Sequence, residues 1–399
     1  MPLLSTDSLF EQQATRAMAH ALHGGADFGE CIQTMQRVPS GDTAAWTREW
    51  TAMADRVAAI GDACAAHGHR VSAREAWLRA SNYYRAAYCF LYGRPVSATL
   101  TAAFDREVRE FAKAAAWLDP PLVPLEIPYE GTTLPAYFCS GGDGPLPLLV
   151  CTNGYDSTVC EMYFAFAVAA RQHGWHCLLF DGPGQGRVLI EQHVFMRPDW
   201  ENVVRPVLDF AIGLPGVDTG RIALSGWSFG GYLGLRGATN ETRLAALVVD
   251  PGLIGLAVPM RKMFAALPPQ ALANPAAADP ELFVPYAAHI AGDPHLQWSV
   301  IQRAFMVHDV DSVQAYLATA LDYDASGMLG TIRCPTFVAC EEDDALATTA
   351  PMVYDGLTCT KTLQRFTRAE GAGDHTAMLA RSLFLQRVFD WLEETVDRP

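Results

Sequence analysis

The sequence is poor in charge, and poorest in positive charge. Only 18% of its 399 residues are Asp, Glu, Lys or Arg, and 29 Lys and Arg stand against 44 Asp and Glu. A formal charge of −15 at pH 7 disfavours nucleic acid or an anionic membrane as partner, because both need a basic face. No apolar run approaches the roughly 18 residues needed to cross a bilayer. The opening MPLLSTDSLFEQQATRAMAHAL lacks the cationic start and unbroken apolar stretch of a secretory signal. Ten cysteines are present, but without a C-x-x-C pair or a Cys/His cluster at zinc-ligand spacing. The expectation is therefore a cytoplasmic protein with reduced, buried thiols, no disulfide framework and no metal. The stretch DGPGQG (181–186) lacks the G-x-G-x-x-G spacing, and no Walker-type lysine follows it. It reads as a tight strand-to-helix turn, and no cofactor is indicated.

Half of the residues are hydrophobic, enough for a sizeable core. Residues 1–120 read as a helical segment: SAREAWLRASNYYRAAYCFL (72–91) and TAAFDREVREFAKAAAWL (101–118) carry apolar side chains at three- and four-residue spacing. DPPLVP then ends the pattern. From residue 121 to 399 the period changes. LEIPYEG and TLPAYFCS form a hairpin pattern with Gly131 in the turn. PLLVCTNG, HCLLFDGPGQG and RIALSGWS are nearly continuous apolar runs, each followed by a helical stretch, and LAALVVDPG and PTFVACEEDD are further runs. Such runs belong to parallel strands covered on both faces. The expectation is an α/β fold with a doubly wound, mostly parallel sheet whose strand C-termini carry the site. Residues 251–333 break the alternation and are expected to form a helical cap between the last two pairs of strands.

GWSFG (226–230) is a G-x-S-x-G pentad between an apolar strand and a helix, the setting in which flanking glycines force a serine into an exposed, strained position. Ser228 is the candidate nucleophile. Its base is expected in His375, in the loop EGAGDHTAM between the last strand and the C-terminal helix, ahead of His289, His295 and His308 in the cap. An acid must orient that imidazole, and CEEDDALA offers Glu341, Glu342, Asp343 and Asp344, of which one is expected to turn inward. Asp250, closing VVDPG, is a second position for it. The order Ser228, Asp344, His375 is the one used in α/β-hydrolases. Backbone N–H groups for an oxyanion are expected from Phe229 and from Tyr155 or Gly154 in CTNGYDST.

With these motifs in place, the chain from about residue 122 onward resembles the α/β-hydrolase superfamily. Together SAREAWLRASNYYRAA, NGYDSTVCE, DGPGQG, GWSFGG and EGAGDH resemble a narrower branch of it. This branch contains 2,6-dihydroxypseudooxynicotine hydrolase, relatives of the fermentation–respiration switch protein and fungal hydrolases that shorten pigment polyketides. The resemblance implies Ser228 as nucleophile, His375 as base, Asp344 as acid with Asp343 as the alternative register, and Tyr155 N–H as oxyanion donor. The branch often has Pro after the acid, where this chain has Ala345. It also has Gly-Gly where this chain has Asn153-Gly154. The resemblance implies cleavage of an ester, or of a C–C bond next to a carbonyl, in a small aromatic or polyketide-like substrate. The alternatives are an acyltransferase or cyclase using the same three residues, and a non-catalytic binding protein. A homodimer is left open.

Overall fold

The computed structural model describes residues 3–396. Five helices come first: α1 (Ser8–Ala19), α2 (Phe28–Met35), α3 (Thr43–Ala66), α4 (Arg70–Tyr88) and α5 (Ala98–Trp117). All but α4 are capped at the start by a side chain, as where Asp7 accepts from Leu9 N and Phe10 N, and Ser97 from Leu100 N. The apolar faces of α1, α3 and α4 meet around Phe10, Trp46, Trp50 and Tyr83, and the Trp46 indole N–H donates to Ala86 O at 2.8 Å.

Eight strands then form one sheet: β1 (Val123–Tyr129), β2 (Thr132–Cys139), β3 (Leu146–Thr152), β4 (His176–Phe180), β5 (Val217–Trp227), β6 (Leu244–Asp250), β7 (Thr336–Glu341) and β8 (Lys361–Phe366). Their order is β1-β2-β4-β3-β5-β6-β7-β8. β1 and β2 are joined antiparallel through Glu130 and Gly131, both at positive φ, and β2 pairs antiparallel with β4. Every other pairing is parallel. Helices cover both faces, so strand side chains alternate between two cores. Leu148, Val150, Ile222 and Leu224 enter one, while Leu149, Cys151, Ala223 and Cys177 enter the other.

Between β6 and β7 the chain forms short helical pieces from Ala257–Met263 to Val313–Ala320, including a wide π-helical stretch, Gln297–Ala304. Of its aromatic and Met side chains, Phe264, Phe283, Phe305 and Met306 are buried in the main core and Met263 is exposed. Trp298 joins the core of the N-terminal helices instead, donating to Cys89 O at 2.8 Å and packing against Phe90. No helix among the described residues is long and apolar enough to cross a membrane. All ten cysteines are free.

Candidate active site

Ser228 lies on the turn between β5 and the helix Gly230–Gly237. Its φ is 60°, a left-handed conformation that a non-glycine residue holds only when its surroundings over-determine it. Those surroundings are the neighbouring backbones. A Cβ on Gly226 would lie 1.9 Å from Gly230 O, and one on Gly230 would lie 2.7 Å from Thr152 O. The Ser228 N–H donates to Asp250 O at 2.6 Å, tying the turn to the end of β6.

Ser228 Oγ lies 2.8 Å from His375 Nε2, and His375 Nδ1 lies 2.7 Å from Asp344 Oδ2. The three residues come from the ends of β5, β7 and the loop after β8. Burial draws the His375 pKa down, but the Asp344 charge and hydrogen bond outweigh it and the net shift is upward. For Asp344 burial pushes upward, and His375 with the Leu346 and Thr376 N–H groups brings the carboxyl below its ordinary value. Asp343 points away: it is 37% exposed and paired with the Arg368 guanidinium.

Two of the four consecutive carboxylates turn inward rather than one. Glu341 is buried beside Asp250, and burial together with the Asp250 charge raises its pKa well above the usual carboxylate value. Asp250 does not face the histidine as a hydrogen-bond partner. It takes the Arg381 Nη1 at 2.9 Å, and the same Nη1 donates to Thr376 O at 2.8 Å. One guanidinium thereby joins the strand end beneath Ser228 to the residue after His375. Thr376 and Ala377 both have positive φ, so the left-handed positions of this loop, which include Gly371, continue past the histidine.

The loop after β3 brings Gly154 against the serine. A Cβ there would sit 2.9 Å from Ser228 Cβ, so a larger residue would displace one or the other. Neither Phe229 N–H nor Tyr155 N–H is taken by another backbone group among the described residues. The Tyr155 ring packs on Phe229 with centroids 4.6 Å apart.

DGPGQG, read as a plain turn, does more than that. Asp181 accepts from Asn153 Nδ2 (2.6 Å) and Val159 N (2.9 Å), while Gln185 Nε2 donates to Asn153 O and Gly154 O. The sequence signal was the pairing of two Gly-containing loops at the ends of adjacent strands, β3 and β4. Also missed was a buried charge cluster around the same loop. Arg16 on α1 binds Asp156 and Glu161, Arg85 on α4 lies near both, and Arg303 donates to Asp156 Oδ2 at 3.3 Å.

Of the cap histidines, His289 and His295 are exposed, whereas His308 is buried against Tyr155. Tyr323 Oη donates to Met196 O, so it accepts from His308 Nδ1 at 3.1 Å, which leaves Nε2 to accept the Tyr155 hydroxyl proton. Burial brings the His308 pKa down to about 3. The unfolded chain takes up this proton from about pH 6.5. Stability is therefore expected to fall, through this group, as pH drops from about 6.5 toward 3. In His308→Gln that part of the slope should vanish. Denaturant unfolding at stepped pH is the check, and an unchanged slope would place the acid sensitivity elsewhere.

The alpha/beta hydrolase family model matches residues 148–386. The chain belongs to the alpha/beta hydrolase family. Among curated members, Hydrolase acrC of Aspergillus aculeatus is 34% identical over 428 residues, covering 96% of each chain. Hydrolyase poxO of Penicillium oxalicum is 37% identical over 253 residues, covering 61% of this chain and 60% of that one. The acrC match runs through the N-terminal helices as well as the hydrolase sheet. Solved structures share the whole fold: 2,6-dihydroxy-pseudo-oxynicotine hydrolase has a TM-score of 0.73 at 21% identity over 95% of each chain. AbyA5 has a TM-score of 0.62 at 17% identity, covering 97% of this chain and 98% of that one. Membership in this enzyme family and the hydrolase relatives support a hydrolytic role.

Proposed function

We propose that the chain is a serine hydrolase that cleaves an ester, or a C–C bond next to a carbonyl, through an acyl-enzyme on Ser228. The observation that carries this reading is the continuous hydrogen-bonded line from Ser228 Oγ through His375 to Asp344, at a serine held at φ 60°. In this reading His375 Nε2 takes the Ser228 proton as Oγ attacks the carbonyl carbon. Asp344 fixes the imidazole with its proton on Nδ1 and stabilises the cation that forms. The developing oxyanion accepts from the N–H groups of Phe229 and Tyr155. His375 then gives its proton to the departing alkoxide, and water, activated by the same imidazole, releases the acid. Where a carbon leaves instead, it departs as a carbanion that the substrate must delocalise and that His375 protonates. A β-diketone or acylphenol meets that requirement. The aromatic walls beside Ser228, Tyr155 and Phe229, suit a small aromatic or polyketide-like substrate.

A fluorophosphonate probe should label the wild-type protein, and turnover should appear in a screen of aryl esters and β-diketones. A protein that stays unlabelled while a reference serine hydrolase reacts would overturn the reading. Free acid as sole product in the presence of an alcohol or amine acceptor excludes the acyltransferase alternative.

A further inference from the structure

The guanidinium of Arg303 is held in place by three contacts. Its Nη1 donates to Asp156, its plane lies 4.4 Å from the Trp298 ring centroid, and it lies 5.1 Å from that of Tyr155. Trp298 and Arg303 are five residues apart on the π-helical stretch, whose wide turn brings such positions onto one face. Fixed in this way, Arg303 keeps its other edge unused. Nε is buried without a partner among the described residues, and the bond to Asp156 comes from Nη1, leaving Nη2 free as well. The Nε–Nη2 edge is the fork with which arginine takes a carboxylate bidentately. Arg16, Arg197 and Arg236 fill the same fork with Glu161, Asp199 and Glu201, whereas Arg85 and Arg381, like Arg303, leave Nε without a hydrogen-bond partner among the described residues.

The charges around Arg303 do not balance. Arg16, Arg85 and Arg303 carry three positive charges against two on Asp156 and Glu161. Both carboxyls stay ionised: burial opposes this, but the arginines bring them below their ordinary pKa values. His20, lowered by burial, contributes no charge at neutral pH. Burial pushes Glu107 up to about 8, so it is largely protonated there and offsets little. Arg85 also has Nε and Nη1 buried without hydrogen-bond partners. Arg303, 22% exposed, is the member of the cluster most open to solvent, and a ligand of opposite sign there would offset the surplus charge. Arg303 lies directly over Tyr155, the residue after Gly154, which touches Ser228.

We infer that the substrate carries a carboxylate, and that the free Nε–Nη2 edge of Arg303 binds it beside Ser228. The inference rests on the hydrolase reading above for the location of the reacting carbonyl. It makes Arg303 the specificity-determining residue and the surplus positive charge of the cluster the source of selection for an acid.

The test compares 2-naphthoate with the isosteric, neutral 2-naphthamide, as inhibitors of 4-nitrophenyl butyrate turnover and as calorimetric ligands of the full chain. The carboxylate should bind wild type about tenfold tighter or more. In Arg303→Gln the ratio should fall to about one, and Arg303→Lys should keep part of it. Equal affinities in wild type, or a ratio unchanged in Arg303→Gln, overturn the inference. Should Arg303→Gln fail to fold, Arg303→Lys carries the test: it loses the bidentate fork, and a ratio equal to that of wild type there overturns the inference. Failure of the hydrolase reading shows separately, as no turnover and no fluorophosphonate labelling, while calorimetry still reports the binding ratio.

Discussion

Ser228→Ala is expected to lower turnover of a responsive aryl ester by roughly five to six orders of magnitude while leaving the fold in place. The change removes one oxygen whose hydrogen bond is to His375 alone, and it keeps the Cβ that the turn already accommodates at φ 60°. Alanine meets the same backbone contacts at that φ as serine does. The melting temperature and circular dichroism of the variant should therefore match wild type, and fluorophosphonate labelling should disappear. Activity within a few-fold of wild type would mean that another group attacks.

Asp344→Asn is expected to reduce kcat by about 10^4, whereas Asp343→Asn should stay within a few-fold of wild type. An amide at 344 can offer its N–H to His375 Nδ1, which puts the imidazole proton on Nε2, the atom that must accept from Ser228 Oγ. Asp343 meets only Arg368 at the surface, so its loss leaves the imidazole untouched. The pH profile gives a second readout. Asp344 raises the His375 pKa, and only the neutral imidazole accepts a proton, so the acid limb of wild-type kcat/KM should have its midpoint above about 6.5. Residual activity of Asp344→Asn should show that limb displaced to lower pH. A larger loss in Asp343→Asn than in Asp344→Asn would transfer the acid to the neighbouring position.

The central strands were legible because they are short, buried apolar runs set between turn residues, whereas β8, Lys361–Phe366, is mostly polar and only partly buried at the sheet edge. The turn at Ser228 was legible for a related reason: Gly226 and Gly230 stand where a Cβ would strike a carbonyl oxygen, so the constraint is local. The four carboxylates of CEEDDALA were legible only as a group. Which of them turn inward depends on the neighbouring strand. Glu341 is buried because it ends β7 beside Asp250 at the end of β6, and no pattern within residues 341–344 encodes that adjacency. The same holds for the arginines. Arg16 meets Glu161 across 145 positions and Arg303 meets Asp156 across 147, and as single residues on helices each reads as an ordinary polar side chain. Gln185 escaped notice because a loop full of glycine suggests conformational freedom, whereas its amide fastens the neighbouring loop.

Trp298 and Cys89 are 209 positions apart, yet one indole N–H and the Phe90 ring lock the segment between β6 and β7 onto the end of α4. Arg16 on α1 and Arg303 from the segment between β6 and β7 meet on the single carboxylate of Asp156. The N-terminal helices and the segment between β6 and β7 are thus a matched pair. A replacement segment without an equivalent of Trp298 would leave a tryptophan-sized hole among the first helices, and one without Arg303 would take an arginine from Asp156. A change in either segment at the Trp298 contact therefore calls for a matching change in a stretch of the gene 209 codons away.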